Sequence, residues 1–265
     1  MSSTQTIFKG NRLMFTRIIN TLKLNCRFNS TKKMGPVDHG AEFASDKLEG
    51  WLVPQSQNHN CLRAKRPFNG CYDNYAKIVD DALANRFEDL RVNVQFPAAP
   101  RGRSISVQDM EAVLNEPLDG MCKKAALPDD ITQQIRSDAI HLSTTVSALC
   151  PTATKFTIRL QIFGENCCSR FHQDQYVGRG IVSYTGNIGT EFVDDKHVDF
   201  WELENCGNNT CVVKDKHNIH HAEVGDFLFI KGTMFPYGSK GLVHKAPEKV
   251  YHPDGRIVNR LVLKV

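Results

Sequence analysis

The apolar residues of this chain change their spacing at Pro151. Between residues 128 and 150 they recur every three or four positions, as in an amphipathic helix: Ile131, Ile135, Ala139, Leu142, Val146 and Leu149. After Pro151 they occupy every second position, as in a half-buried strand: Phe156, Ile158, Leu160 and Ile162. We therefore expect a helical part followed by a β-rich part.

Six more stretches have the composition of strands, separated by Gly, Asn, Asp and Pro turns. They are residues 180–184, 190–193, 210–214, 226–231, 241–244 and 256–265. Many short strands at this spacing predict an α+β fold whose β part is a sandwich or a jelly roll, with the preceding helices packed on its outside.

The residues before the strands divide into three parts. Helical spacing predicts a helix over residues 72–90, and a capping Ser106 predicts a short helix that ends near Leu114, before Pro117. Residues 34–70 contain scattered Gly and Pro and predict irregular chain. We thus expect one globular domain over residues 71–265, with a helical part at 71–150 and a β core at 154–265.

The first 37 residues contain seven Lys or Arg and no Asp or Glu. Apolar and Ser/Thr residues between these charges are typical of a mitochondrial presequence, which we place at residues 1–33. The rest of the chain has 26 basic and 29 acidic residues, a formal charge of −3. It therefore gives no electrostatic reason to expect a nucleic-acid partner. No apolar stretch approaches the about 20 residues of a transmembrane helix.

The densest group of chemically capable residues is His172, Asp174 and His244. His and Asp two residues apart on a strand point to the same side, so an imidazole and a carboxylate can converge on one ion. A second imidazole from a distant strand completes a set of two His and one carboxylate, which suits non-haem Fe(II) and also accepts Zn²⁺. These three residues are the candidate ligands of one metal ion, and an incidental histidine on a surface strand is the alternative that the His-x-Asp pair alone leaves open.

Five blocks of the β-rich half resemble the family called domain of unknown function 1826 (DUF1826). The blocks begin at Cys168, Ile181, Gly225, Gly241 and Arg260, and they cover about 110 residues in the order and spacing of that family. The resemblance implies a double-stranded β-helix similar to that of 2-oxoglutarate-dependent oxygenases. His172, Asp174 and His244 stand at the family's His-x-Asp and His positions.

An oxygenase of this type also needs a cation for 2-oxoglutarate. The resemblance makes Arg260 the candidate, with Arg256 in reserve, because a guanidinium pairs bidentately with a carboxylate. Four residues are near-site candidates from proximity in sequence: Cys168, Arg170, Arg179 and Tyr184. We expect Fe(II) and 2-oxoglutarate as cofactors and a small molecule or protein side chain as substrate.

Two other interpretations of the function and one of the cysteines remain open. The function could instead be that of a non-catalytic protein that binds or handles zinc through the same three residues, or of a degenerate fold that serves as an interaction module. The interpretation of the cysteines concerns a separate structural zinc site on Cys206, Cys211, His217 and His220, whose spacing departs from that of a zinc finger. The nine cysteines are odd in number and irregularly spaced, which argues against a disulfide framework.

Overall fold

The computed structural model describes residues 40–66, 75–85, 87–96, 105–236 and 239–265. The predicted presequence at residues 1–33 lies outside these ranges and stays a prediction. The described strands and α-helices, in chain order, are β1 (Glu42–Ser45), β2 (Cys61–Ala64), α1 (Ala76–Asn85), β3 (Asp89–Gln95), α2 (Val107–Ala125), α3 (Asp129–Leu149), β4 (Lys155–Phe163), β5 (Gly178–Ser183), β6 (Glu191–Val193), α4 (Phe200–Asn205), α5 (Asn209–Val212), β7 (Ile219–His221), β8 (Phe227–Lys231), β9 (Val243–Lys245) and β10 (Arg260–Lys264).

Two sheets form the core. The large sheet has the order β1-β2-β8-β5-β10-β4-β3, and the small sheet has the order β7-β6-β9. His172 extends the small sheet through an antiparallel bridge to His244. From β4 onward the chain passes back and forth between the sheets, giving β4-β10-β5-β8 on one side and His172-β9-β6-β7 on the other. This is the strand order of a double-stranded β-helix, so the predicted α+β jelly roll is confirmed.

Alternation along β10 separates two apolar cores. Leu261 and Leu263 pack toward the helices, while Val262 packs between the sheets with Ile181 and Leu228. The long helix α3 lies directly on β5: a Cβ added to Gly180 would come within 2.7 Å of the Leu142 side chain. The helices therefore pack on the outer face of the large sheet, as expected, and leave its other face to the barrel interior.

A third apolar cluster lies outside the small sheet. Val193 and Val243 point away from the barrel interior and pack with Val212, on α5, and Phe200, on α4. The short helices α4 and α5 therefore close the outer face of the sheet that carries His244.

The structure describes residues 40–66 of the predicted irregular chain at 34–70, and it corrects the expectation for that part. Strand β2 pairs with β8 in the large sheet, and β1 pairs with β2 in parallel. The globular domain thus includes residues before position 71. Four-residue strands flanked by Gly and Pro carry too few alternations to be distinguished from irregular chain.

Three predicted elements have different bounds or type. Helix α1 ends at Asn85 and is followed by strand β3, although a single helix was expected at 72–90. Helix α2 continues through Pro117 to Ala125, because Leu114, Leu118 and Met121 bury one apolar face on either side of the proline. The strand expected at 210–214 is instead helix α5, started by the side chain of Asn208.

Among the residues that the structure describes, no helix is both long and apolar enough to cross a bilayer.

Candidate metal centre

His172, Asp174 and His244 converge at one point of the barrel interior. One ligand atom from each lies within 4.8 Å of the other two. The Asp174 carboxylate oxygens lie 3.9 Å from Nε2 of His172 and 3.5 Å from Nε2 of His244. An ion about 2.1 Å from each ligand would separate the ligand atoms by about 3 to 4 Å, so the three side chains fit a metal.

The backbone fixes this convergence. The N–H group of His172 donates to the carbonyl of His244, and the N–H group of His244 donates to the carbonyl of His172, both at 3.0 Å. The carbonyl of Asp174 accepts from the backbone N–H of Thr233 at 2.9 Å. Both histidines are therefore locked in register, and Asp174 is held two residues beyond the first of them.

Backbone carbonyls also set the tautomer of each imidazole. Nδ1 of His172 donates to the carbonyl of Arg170 at 2.8 Å, and Nδ1 of His244 donates to that of Leu242 at 3.0 Å. A carbonyl only accepts, so each Nδ1 carries the proton and each Nε2 keeps its lone pair. Both lone pairs are thus available at the side of the ring that faces Asp174, as in metal sites generally.

Burial makes the three ligands unequal. The His172 side chain is 40% exposed, whereas those of Asp174 and His244 are buried. Burial lowers the pKa of His244 to about 4, so this imidazole is neutral at physiological pH. Among the described residues, Oδ2 of Asp174 and Nε2 of His244 have no hydrogen-bond partner. Buried polar atoms are rarely left unpaired, and a metal ion would satisfy both.

Arg179, a predicted near-site residue, contacts the triad. Its Nη2 lies 3.5 Å from Oδ1 of Asp174, and its guanidinium stacks 4.6 Å from the ring centre of Tyr176. Tyr176 was missed in the sequence because it lies in a loop without periodicity. The contact leaves Oδ2 of Asp174 for the ion.

Lys264 adds a second cation beside Arg179. It shares the inward face of β10 with Val262, opposite Arg159 on β4 and Ile181 on β5. Burial, then Arg179 and Arg159, lower the pKa of Lys264 to about 7. Within the described ranges no carboxylate lies at ion-pair distance from its Nζ, which sits 4.3 Å from the centre of the Phe163 ring.

Gln161 lies beside this group on the same inward face of β4. It is buried, and its Oε1 has no hydrogen-bond partner in the described part of the chain. Arg159, Gln161, Arg179 and Lys264 are called the basic wall below. None of the four except Arg179 was singled out in the sequence.

The two arginines predicted for the cosubstrate differ in position. Arg260 starts β10, about 13 Å along the strand from Lys264, and its Nη2 lies 2.9 Å from the Cys167 sulfur. It lines a cavity of about 320 Å³ with Phe163, Gly186 and Ile257, and no triad residue lines that cavity. Arg256 is exposed and pairs with Asp254 on an outer turn.

Three other near-site candidates do not contribute ligand atoms. Tyr184 is buried toward the helices, and its hydroxyl donates to Asp138 on α3 at 2.8 Å. The side chains of Cys168 and Arg170 are exposed, although the Arg170 carbonyl orients His172. Arg170 therefore contributes to the site through its backbone carbonyl and not through its charged side chain.

The family model described as "Protein of unknown function (DUF1826)" matches residues 77–265 of the chain. No curated protein sequence matches it. Solved structures that align with it include the auxin dioxygenase AtDAO1 of Arabidopsis thaliana in a 2-oxoglutarate complex (10% identity, TM-score 0.42, 85% of this chain and 91% of that one). Another is the dioxygenase for auxin oxidation of rice (11% identity, TM-score 0.38, 82% and 76%). Both TM-scores are below 0.5, so the fold assignment rests on this chain's own strand order.

Proposed function

The chain belongs to the DUF1826 family, and we propose that it is an Fe(II)- and 2-oxoglutarate-dependent dioxygenase. The observation that carries this proposal is the juxtaposition of two features inside one barrel. The first is a facial set of two Nε2 lone pairs and one carboxylate. The second is the basic wall, in which no carboxylate of the described residues lies at ion-pair distance from Lys264. A metal needs the first, and an anionic cosubstrate needs the second.

Each group in the site has a separate task. His172, Asp174 and His244 would hold the ion, while the Arg170 and Leu242 carbonyls keep the imidazoles oriented. When bound, the ferrous ion with dioxygen and 2-oxoglutarate supplies the oxidation of a substrate C–H group to C–OH, releasing succinate and carbon dioxide. The exposed side of His172 is where the substrate would approach.

The carboxylate of 2-oxoglutarate far from the metal requires a cation in the barrel. Lys264 and Arg179 are favoured, because Arg179 contacts Asp174 and Lys264 lies beside it on the inward face. Arg260, the choice from the sequence, remains the alternative on the same face of the same strand. The Lys264→Met and Arg260→Met variants separate these two proposals. The variant that abolishes binding of 2-oxoglutarate identifies the cation that pairs with its distal carboxylate.

Metal analysis and cosubstrate titration test the function. The full chain, purified without oxygen, should contain about one Fe(II), and adding 2-oxoglutarate should give a metal-to-ligand charge-transfer absorption. Both should be lost in His172→Ala/Asp174→Ala, whereas Gln173→Ala, between the two ligands, should retain the iron. Zinc at the triad without 2-oxoglutarate binding would instead indicate the non-catalytic zinc protein. Absence of any triad-dependent metal would contradict both functions.

A further inference from the structure

Helices α4 and α5 bring together a second group of potential ligands. The Glu202 carboxylate and the Cys206 and Cys211 sulfurs each offer an atom within 4.8 Å of the others. Cys206 is exposed, Glu202 and Cys211 are half-buried, and both thiols are free. The sequence suggested a zinc site on Cys206, Cys211, His217 and His220. In the structure the third residue of the group is Glu202 and not either of these histidines.

Local backbone structure explains why these three meet. The Cys206 N–H donates to the Glu202 carbonyl at 3.0 Å, so the two side chains lie one turn apart on the same side of α4. Gly207 then adopts a φ of +66°, which sends the chain back toward α4. The Cys211 N–H donates to the Asn208 carbonyl at 2.9 Å, which sets Cys211 in the first turn of α5.

We propose that Glu202, Cys206 and Cys211 form a second metal site, which binds one thiophilic divalent cation such as Zn²⁺. Two thiolates and a carboxylate are ligands that zinc accepts, and a fourth, tetrahedral position is left for water. Charge favours a cation here: residues 199–214 contain three acidic residues and one basic residue, Lys214, which pairs with Asp199. The triad, by contrast, offers nitrogen and oxygen ligands and no sulfur, so the two sites select different ions.

Hydrogen bonds from α5 connect this site to the segment that precedes the triad residue His172. The Asn209 side chain accepts from the Phe171 N–H at 3.0 Å and donates to the Ser169 carbonyl at 2.7 Å. Phe171 directly precedes His172. A cation bound to Cys211 would fix the start of α5, and through Asn209 it would brace the segment that leads into the triad.

Cobalt titration tests the site. The full-length His172→Ala/Asp174→Ala variant, kept reduced, removes binding at the triad. It should bind one Co²⁺ with a thiolate-to-metal charge-transfer band that Zn²⁺ displaces. Adding Cys206→Ser/Cys211→Ser should abolish the band, Glu202→Gln should weaken binding by about tenfold or more, and Cys168→Ser, an exposed cysteine outside the cluster, should change neither. A band that survives Cys206→Ser/Cys211→Ser, or no band at all, would overturn the proposal, as would a Cys206–Cys211 disulfide in the protein isolated from reducing cells.

Hydrogen exchange tests the connection to the triad in the same background. Zn²⁺ should slow exchange of the Phe171 amide by about tenfold, a typical size for coupling between sites. Asn209→Ala should remove this effect while the cobalt band remains. Equal exchange with and without Zn²⁺ would show that the cation binds without bracing the segment.

Discussion

Lys264 carries an ammonium group into the barrel, where the charges of Arg179 and Arg159 act on it and the Phe163 ring lies against it. Its pKa of about 7, against 10.5 for a free lysine, means that the folded protein releases this proton between about pH 7 and 10.5 while the unfolded chain keeps it. The ligand-free protein therefore gains stability as pH rises through this window. Below pH 7 it bears the cost of a buried charge.

Replacing this lysine should stabilise the ligand-free protein while abolishing cosubstrate binding. At pH 6 the Lys264→Met variant should unfold at higher urea, with a gain of about 1–4 kcal/mol, because an unpaired charge leaves the interior. At pH 9 the gain should shrink. Lys155→Met, on an exposed position of β4, should show no such pH-dependent gain. If Lys264→Met were no more stable than the unchanged protein at pH 6, other groups in the folded protein would already offset the cost of burying the ammonium.

The affinity for 2-oxoglutarate should fall as pH rises above 7. An anion binds the protonated amine, so affinity is highest below pH 7 and decreases by at most about tenfold per unit above it. The Lys264→Arg side chain stays charged over this whole pH range, so the affinity of this variant for 2-oxoglutarate should change less with pH. Titration of the anaerobic iron complex at pH 6.5, 7.5 and 8.5 measures this; the same slope in both proteins would assign the anchor to another residue.

At this scale the triad and Arg179 could be predicted from the sequence, whereas the other residues of the basic wall could not. Two-residue spacing places His172 and Asp174 on one side of an extended segment whatever its partners are, and the family resemblance supplied His244. Lys264 and Gln161 are inward-facing only because of the phase of β10 and β4 in the sheet. A shift of one residue reverses that phase, and the sequence does not fix it.

Among the elements, α3 is tied to the large sheet by a buried carboxylate. Asp138 accepts two hydrogen bonds from Arg66, at 2.7 and 3.0 Å, and one from the Tyr184 hydroxyl, at 2.8 Å. This group links the chain after β2, the helix α3 and the turn after β5. It explains why Tyr184, expected near the metal, points to the opposite side of the sheet.

Asp138→Leu should therefore destabilise the protein by about 3 kcal/mol, because the half-buried Arg66 guanidinium and the buried Tyr184 hydroxyl lose their acceptor. Urea unfolding measures the change, and Asp138→Asn, which keeps one acceptor oxygen, should lose less. Metal content per folded chain should be unchanged, since Asp138 does not reach the triad. A loss below about 1 kcal/mol would show that water replaces the carboxylate.

Elements with many residues and one clear period were predicted well, and short ones were not. Helix α3 and strand β4 match their predicted ranges closely, because each repeats its pattern several times. Strands β1 and β2 have four residues each, and α5 has four. Pairing with β8 decides the conformation of β2, pairing with β2 decides that of β1, and the Asn208 cap decides that of α5; all three are features of the folded molecule.

For the molecule as a whole, we propose that residues 1–33 direct import into mitochondria. Fused to a reporter, residues 1–37 should carry it into isolated mitochondria in a potential-dependent manner. Replacing Arg12, Arg17 and Arg27 by Gln should abolish import, because the positive charges respond to the membrane potential. Equal import of both fusions, or of neither, would contradict the proposal.

The pairing of distant strands is the part of the architecture that periodicity alone does not provide. Strand β2 lies against β8, and β4 against β10, across about 100 or more residues of intervening sequence. Patterns of alternation predict that strands exist but not which of them are neighbours. The expectation of a double-stranded β-helix came from the resemblance to a family, and the strand order of the structure confirms it.

Strand β10 follows all the other strands in the sequence, yet it lies between β5 and β4 in the large sheet. Until a ribosome has released it, those two strands lack their common neighbour and the sheet has a gap at its centre. The barrel therefore closes through pairs of strands that are distant in sequence, and pairing of this kind is intrinsically slow. A domain that closes late would also be one that a translocation channel can still thread, as the proposed import requires.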